Sequence, residues 1–199
     1  MRAMIIAGVV VVLLAGAGIW LATGTARSET WQATAPQDLA PEERERLARA
    51  DTAREALFSR LQAALMEAMQ EAGPAGAIAV CSEVAPALAA DVSSEHGVTI
   101  GRTSFRTRNT DNAPPAWARP YVEARREEPL YLQRDRTGHL AALLPIRTQA
   151  QCLTCHGPAE HIQPAIREQL DKLYPDDQAT GFALDELRGY FHVVVPPDA

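Results

Sequence analysis

The segment Gln151–Gly157, QCLTCHG, constrains the fold more than any other part of the chain, because it brings two cysteines and a histidine within five residues of each other. A Cys-x-x-Cys pair alone is compatible with a redox dithiol, half of a zinc site or a haem anchor, whereas Cys-x-x-Cys-His indicates c-type haem attachment. In such attachment the thiols become thioethers and the histidine is the proximal iron ligand. We therefore predict covalent haem on Cys152 and Cys155, with His156 as the proximal ligand.

The other uses of this motif fit the sequence less well. A structural zinc site needs four ligands, and the sequence offers no second Cys/His pair at suitable spacing, although His161 and Cys81 could be recruited. A thioredoxin-like dithiol is expected in a βαβ setting, whereas this motif follows a segment that resembles an antiparallel hairpin. A disulfide across only two intervening residues is strained and constrains little of the chain.

An uncharged apolar run extends from Met4 to Ala22, behind the single charge of Arg2. Its nineteen residues suffice to cross a bilayer as a helix and exceed the usual core of a secretory signal. Gly24-Thr25-Ala26 nonetheless offers a small-residue cleavage site. We predict that residues 1–23 are a transmembrane anchor, with a cleaved signal segment as the alternative. The rest of the chain is then exported to the periplasmic side of the inner membrane, single-pass anchored or released into the periplasm.

Charge and cysteine count narrow the function classes. The formal net charge is −6, so the chain lacks the basic surface of a nucleic-acid-binding protein.

Three cysteines leave Cys81 over once Cys152 and Cys155 are used together, and a leftover exported cysteine calls for an explanation. A lone buried cysteine is usually a small apolar residue. Sequence spacing alone therefore leaves the second axial position of the haem iron open among Cys81, Met66, Met69, His96, His139, His161, His192 and an empty site.

Helices are predicted in the first half of the chain. Residues 24–40 are rich in Thr, Ala, Ser and Pro without periodicity and are predicted to be a linker. A helix begins at Pro41, followed by acidic residues, and its pattern stops at Gly73-Pro74. A second helix carries Cys81 on one face and is kinked or restarted at Pro86.

Strands are predicted in the second half. Alternation across residues 98–108 predicts a strand with Arg102, Ser104, Arg106 and Arg108 on one face. A hairpin around Asp135–Gly138, a helix from Pro164 and a last strand from Tyr190 to Val195 complete the pattern. Helices followed by a small antiparallel sheet indicate an α+β domain, which we place at residues 41–199.

Several separate motifs resemble those of one known family. CSEVAPALAADVSSEHGVTIGRTSFRTRNTDNAPPAW, followed by CLTCHG and by LYPDDQATG and LRGYFHVVVP, resembles a family of single-haem c-type proteins long catalogued as a domain of unknown function. The resemblance spans residues 57–196. It implies a PAS-like antiparallel sheet with flanking helices and one covalently attached haem c. The family's Cys-Ser-x-Val-Ala-Pro segment falls on Cys81–Pro86, and its cysteine is associated with the second axial position, so Cys81 is the expected distal ligand.

A His/Cys-ligated haem suggests a function. A thiolate stabilises ferric iron and lowers the reduction potential, whereas Met/His ligation raises it. If the thiolate leaves on reduction, the iron opens to a small ligand. We therefore expect an exported redox or small-ligand sensor that acts through a separate redox or signalling protein partner. The alternatives are a periplasmic electron-transfer cytochrome and a haem enzyme such as a peroxidase. Arg102 and Arg106 are candidate partners of the haem propionates, since guanidinium groups pair with carboxylates in a forked geometry.

Overall fold

The structure is a computed structural model that describes residues 30–134 and 137–198. The predicted anchor, its alternative cleavage site and the two residues at the tip of the predicted hairpin lie outside this range. Within it, no helix combines the length and the apolar character needed to cross a membrane.

The chain forms an α+β fold around one antiparallel sheet, as the sequence predicts. Its strands lie in the order β1-β3-β4-β5-β2. The strands and helices are β1 (Trp31–Thr34), α1 (Pro41–Gly76), α2 (Ala85–His96), β2 (Thr99–Thr103), α3 (Arg119–Glu123), β3 (Leu130–Arg134), β4 (Leu140–Arg147), α4 (Leu153–His156), α5 (Pro164–Leu173) and β5 (Leu187–Val195).

Strand β1 lies inside the segment that the sequence predicts to be a linker. It pairs with β3 through the register Trp31↔Arg134 to Thr34↔Tyr131, and the Trp31 ring packs 5.7 Å from that of Trp117 between ring centres. The sheet therefore begins before the predicted domain start at Pro41. A four-residue strand is at the lower limit of the length over which alternation is recognised.

Helix α1 contains the break that the sequence predicts. Gly73 has φ 71° and ψ 177°, so the residues on either side form two helices that meet at a kink. The chain then passes through one π-helical segment, Val80–Val84, and enters α2, whose first turn holds Pro86. Because φ and ψ at Gly73 lie in a region that is essentially restricted to glycine, this residue determines where α1 changes direction.

The two faces of the sheet pack against different helices. On one face, β4 and β5 residues such as Leu144 and Phe191 form a buried cluster with Leu57 of α1 and Val92 of α2. On the other face, Tyr190 packs in a second cluster that includes α3. A third cluster joins α5 to Ile78 in the connection between α1 and α2, and Cys155 packs against it.

The prediction of a strand through Arg108 was wrong beyond Thr103, where β2 ends. The Ser104 hydroxyl accepts a hydrogen bond of 3.1 Å from the backbone N–H of Arg106 and donates one of 2.7 Å to the carbonyl oxygen of Arg188. Such local side-chain hydrogen bonds compete with the ladder of a sheet. The arginines at alternating positions therefore do not share one strand face.

Candidate functional site

The Cys-x-x-Cys-His motif forms a compact helical turn after β4. A 3₁₀ turn ends at Cys152, and α4 contains Cys155 and His156. Both cysteines are half-buried and are not joined in a disulfide. Cys155 contacts the apolar cluster on α5, which fixes the motif against the rest of the domain.

The imidazole of His156 is held in one tautomer by the backbone. Its Nδ1 lies 2.6 Å from the carbonyl oxygen of Ala179, and since a carbonyl only accepts, Nδ1 carries the proton and Nε2 has its lone pair available. Burial lowers the pKa of His156 well below its ordinary value, and the nearby charges of Arg188, Arg108 and Arg102 lower it further. A neutral imidazole with an anchored Nδ1–H is the form in which histidine binds metals.

Arg108 ties the motif to the segment that follows α5. Its Nε donates to Oδ2 of Asp177 over 2.9 Å, and its Nη2 donates to the carbonyl oxygen of Cys155 over 2.6 Å and to that of Ala179 over 3.4 Å. Both side chains of this ion pair are nearly buried, with 7% and 10% of their surface exposed. The pair therefore lies behind the motif rather than at the protein surface.

Backbone hydrogen bonds hold the same segment against α4. Phe182 N–H donates to the carbonyl oxygen of His156 over 2.9 Å, and Gly181 N–H donates to that of Gly157 over 2.7 Å. The Asp177 carboxylate accepts from Ala179 N–H over 2.7 Å. Residues 177–182 thus brace the motif along its length.

A cavity of about 480 Å³ opens beside the motif. Cys152, Cys155 and His156 line one side, and apolar side chains of α1, including Leu61 and Leu65, line the other. This volume is within the range of sites that take a small molecule or a cofactor. The structure therefore brings all three motif residues to one ligand-sized space.

The candidates for the second axial ligand of the iron differ in whether they line this cavity. Met66 and Met69 of α1 line it, as does Val80, which begins the π-helical segment that contains Cys81. The side chain of Cys81 itself lies outside what the structure describes. Of the described lining residues, His156 is the only histidine. Among the described residues, therefore, His96, His139, His161 and His192 are not brought to the motif.

The two predicted arginines are placed differently. Arg102 lines the cavity, whereas Arg106 is absent from the described lining. The Arg106 guanidinium instead lies 3.7 Å from the centre of the Phe182 ring, and its Nη2 is 3.7 Å from the Glu186 carboxylate. Arg188, which was not among the residues predicted from the sequence, lines the cavity with Arg102. Alternation within the last apolar strand is the signal that could have drawn attention to Arg188.

The segment Gly101–Asn109 proves to connect the sheet with the motif. Thr103 Oγ1 donates to the carbonyl oxygen of Asn112 over 2.8 Å, and Arg188 donates to the Ser104 hydroxyl over 3.2 Å. Arg108, at the end of the segment, reaches the backbone of α4. These residues lie within the longer stretch that resembles the family, but their contacts depend on the fold.

Fold and site together define a class: an α+β protein whose Cys-x-x-Cys-His turn faces a cavity between an antiparallel sheet and a kinked helix. The chain belongs to the Tll0287-like family, whose model matches residues 29–196. This match confirms the resemblance predicted from the sequence.

One solved structure is similar over most of this fold. It is the crystal structure of the cyanobacterial heme-protein Tll0287, with a TM-score of 0.58 and 24% sequence identity, and the match covers 80% of this chain and 98% of that chain. At this identity the likeness concerns the fold. Curated proteins gave no match to the chain.

Proposed function

We propose that this protein binds one haem c covalently through Cys152 and Cys155, with His156 as the proximal iron ligand. The observation that carries the proposal is the hydrogen bond from His156 Nδ1 to the Ala179 carbonyl oxygen, 2.6 Å long, beside two cysteines at one cavity. It leaves Nε2 as the donor atom, as metal-binding histidines require. The heme-protein Tll0287, which has a similar fold, supports the choice of cofactor.

The described residues fit such a group. Attachment adds each thiol S–H across one vinyl double bond, with sulfur on one carbon and hydrogen on the other, so no external oxidant or reductant is consumed. The apolar side chains of α1 offer a surface for the ring. Arg102 and Arg188 line the same cavity and are suited to pair with the propionates. When bound, the haem supplies a one-electron redox couple and an iron that takes axial ligands.

We propose Cys81 as the distal ligand. This assignment rests on the family resemblance and on the position of the π-helical segment Val80–Val84. Val80 within that segment lines the cavity, as do Ile78 before it and Ala85 after it. π-Helical turns occur often at functional sites. Met66 and Met69 are the competing donors, because they line the same space.

The proposed role is that of a redox or small-ligand sensor, exported and tethered by the N-terminal apolar run, that acts on a separate protein. A PAS-like description of the fold is in keeping with the five-stranded antiparallel sheet and its flanking helices. Low-potential His/Cys ligation favours sensing over high-potential electron transfer. Electron transfer is the alternative, favoured if the ligand is Met66 or Met69.

The attachment is tested by expressing the full chain in cells with the c-type maturation machinery. A mass increase of one haem that survives denaturation is expected for the wild type, and it should be lost in Cys152→Ser/Cys155→Ser. Glu95→Gln, which changes an exposed ion pair with Arg60, is the control. An unmodified wild-type mass would refute the proposal and return the motif to zinc or dithiol chemistry.

Electron paramagnetic resonance of the oxidised protein then identifies the distal ligand. A low-spin signal with the narrow spread of g-values typical of thiolate is expected, and it should disappear in Cys81→Ser. A wide spread would exclude Cys81 and favour methionine and electron transfer. A high-spin signal would indicate an open iron position and favour an enzyme. Ferrous low-spin haem gives no such signal, so resonance Raman spectra of the reduced protein decide between the two roles. Loss of the iron–thiolate bond on reduction supports sensing, whereas its retention supports electron transfer.

A further inference from the structure

The ion pair between Arg108 and Asp177 is buried directly behind the Cys-x-x-Cys-His turn. The exposed fraction of the two side chains is 7% and 10%. Removing two charges from water is costly, and such a pair is often no more stabilising than apolar residues of similar volume. Its contacts therefore need an explanation other than stability alone.

Contacts from both members of the pair converge on one residue, Ala179. The Asp177 carboxylate accepts from Ala179 N–H over 2.7 Å, while Arg108 Nη2 lies 3.4 Å from the Ala179 carbonyl oxygen. That same oxygen accepts the proton of His156 Nδ1 over 2.6 Å. The ion pair thus holds Ala179 from its N–H side and approaches it from its carbonyl side.

A second contact fixes the turn itself. Arg108 Nη2 donates to the carbonyl oxygen of Cys155 over 2.6 Å, the residue before His156. One guanidinium therefore spans the histidine-bearing turn and the carbonyl that orients the imidazole. Nη2 reaches both carbonyls while Nε holds Asp177, and this combination depends on the planar, forked shape of arginine, which a lysine ammonium lacks.

We propose that Arg108 and Asp177 are positioning residues for His156. They set the direction and strength of the hydrogen bond from Nδ1 to Ala179, and through it the donor strength of Nε2 toward the iron. Partners that accept the Nδ1 proton of a ligating histidine raise its basicity. This inference rests on the proposed function, because the donor strength of Nε2 matters only where the atom holds a metal.

The test compares three variants of the full-length, haem-loaded protein. Asp177→Asn removes the anionic anchor at nearly constant size, and Arg108→Lys keeps the charge but removes the fork. Glu95→Gln is the matched control, since it breaks the surface ion pair of Glu95 with Arg60. The measurements are the reduction potential and the g-values of the ferric protein, which a purely structural tie would leave unchanged.

We expect a higher potential in Asp177→Asn, because the Arg108 charge beside His156 is no longer neutralised and the Ala179 carbonyl is less firmly held. Arg108→Lys should also shift the potential and the g-values, although the net charge is the same, whereas Glu95→Gln should match the wild type. Wild-type potential and g-values in both site variants would overturn the inference. A shift in Asp177→Asn but not in Arg108→Lys would overturn it as well, because charge alone would then explain the effect.

Two further outcomes are distinguishable. Absence of covalent haem in the wild type would refute the proposed function, and the inference would fall with it. If neither site variant accumulates while Glu95→Gln does, the test is instead the rate of proton exchange at His156 Nδ1 in the wild-type protein. Exchange as slow as that of core amides supports an anchored Nδ1–H, and exchange as fast as that of an exposed imidazole overturns it.

Discussion

Gly101 lies directly across from His192 in the antiparallel pair formed by β2 and β5. A Cβ atom at Gly101 would lie 2.5 Å from Nε2 of His192, closer than real contacts allow, so the imidazole occupies the space that glycine leaves open.

This packing predicts that Gly101→Ala destabilises the protein by about 1–3 kcal/mol, the usual cost of overpacking a filled site. Urea unfolding followed by circular dichroism measures the loss. Gly101→Ala/His192→Ala should recover part of it, since the obstructing ring is gone. Equal stability of the single and double variants would mean that the imidazole is not the obstacle.

Burial of His192 makes stability depend on pH. Burial lowers the pKa of His192 from its ordinary value of 6.5 to about 4. Between these values the unfolded chain binds a proton that the folded chain excludes, so stability is lost as the pH falls from about 6.5 to about 4. The loss attributable to His192 is at most about 3 kcal/mol.

The contribution of His192 is isolated by comparison with His192→Gln, which has no titrating group. As the pH is lowered through this window, the free energy of unfolding of the wild type should fall relative to that of His192→Gln. A difference that is constant from pH 7 to pH 4 would contradict the lowered pKa.

The backbone angles of Gly73, at the kink of α1, and of Gly97, at the end of α2, predict contrasting effects of substitution by asparagine. Gly73 has φ 71° and ψ 177°, a conformation essentially limited to glycine, whereas Gly97 has φ 60° and ψ 40°, which asparagine tolerates. Gly73→Asn should cost about 1–3 kcal/mol, and Gly97→Asn should be close to neutral. Thermal unfolding of both variants checks this, and equal melting temperatures would contradict it.

Replacing the proposed distal iron ligand, Cys81, should change the reduction potential in a direction that can be predicted. Cys81→Met should raise the reduction potential, because a thioether does not stabilise ferric iron as a thiolate does. Met66→Leu and Met69→Leu should leave it unchanged if Cys81 is the ligand. A loss of the low-spin signal in either methionine variant, measured by the same spectroscopy, would instead assign the distal position to that methionine.

Local signals in the sequence predicted much of the fold. Gly73-Pro74 marked the break in α1 because the backbone conformation there depends on the residue itself. Pro164 marked the start of α5, where proline occupies the first turn. The Cys-x-x-Cys-His turn was identified in the same way, since its chemistry resides in five adjacent residues.

Long-range contacts could not be predicted from local signals of this kind. The partner of Arg108, Asp177, is 69 residues further along the chain, and nothing in the spacing of either residue indicates the other. The alternation of arginines predicted a single face, but the Ser104 hydroxyl ends the strand by bonding to the backbone. Arg102 and Arg106 consequently have different surroundings, which only the folded chain distinguishes.

Strand β1 has a practical consequence. It covers the outer edge of β3 with four residues, Trp31–Thr34, and its tryptophan packs against Trp117. A truncated protein that starts at Pro41, where the first helix begins, would leave β3 with an unpaired row of amides and carbonyls. Open strand edges of this kind recruit further chains, so such a truncation invites self-association during purification, whereas one that retains residue 30 keeps the edge capped.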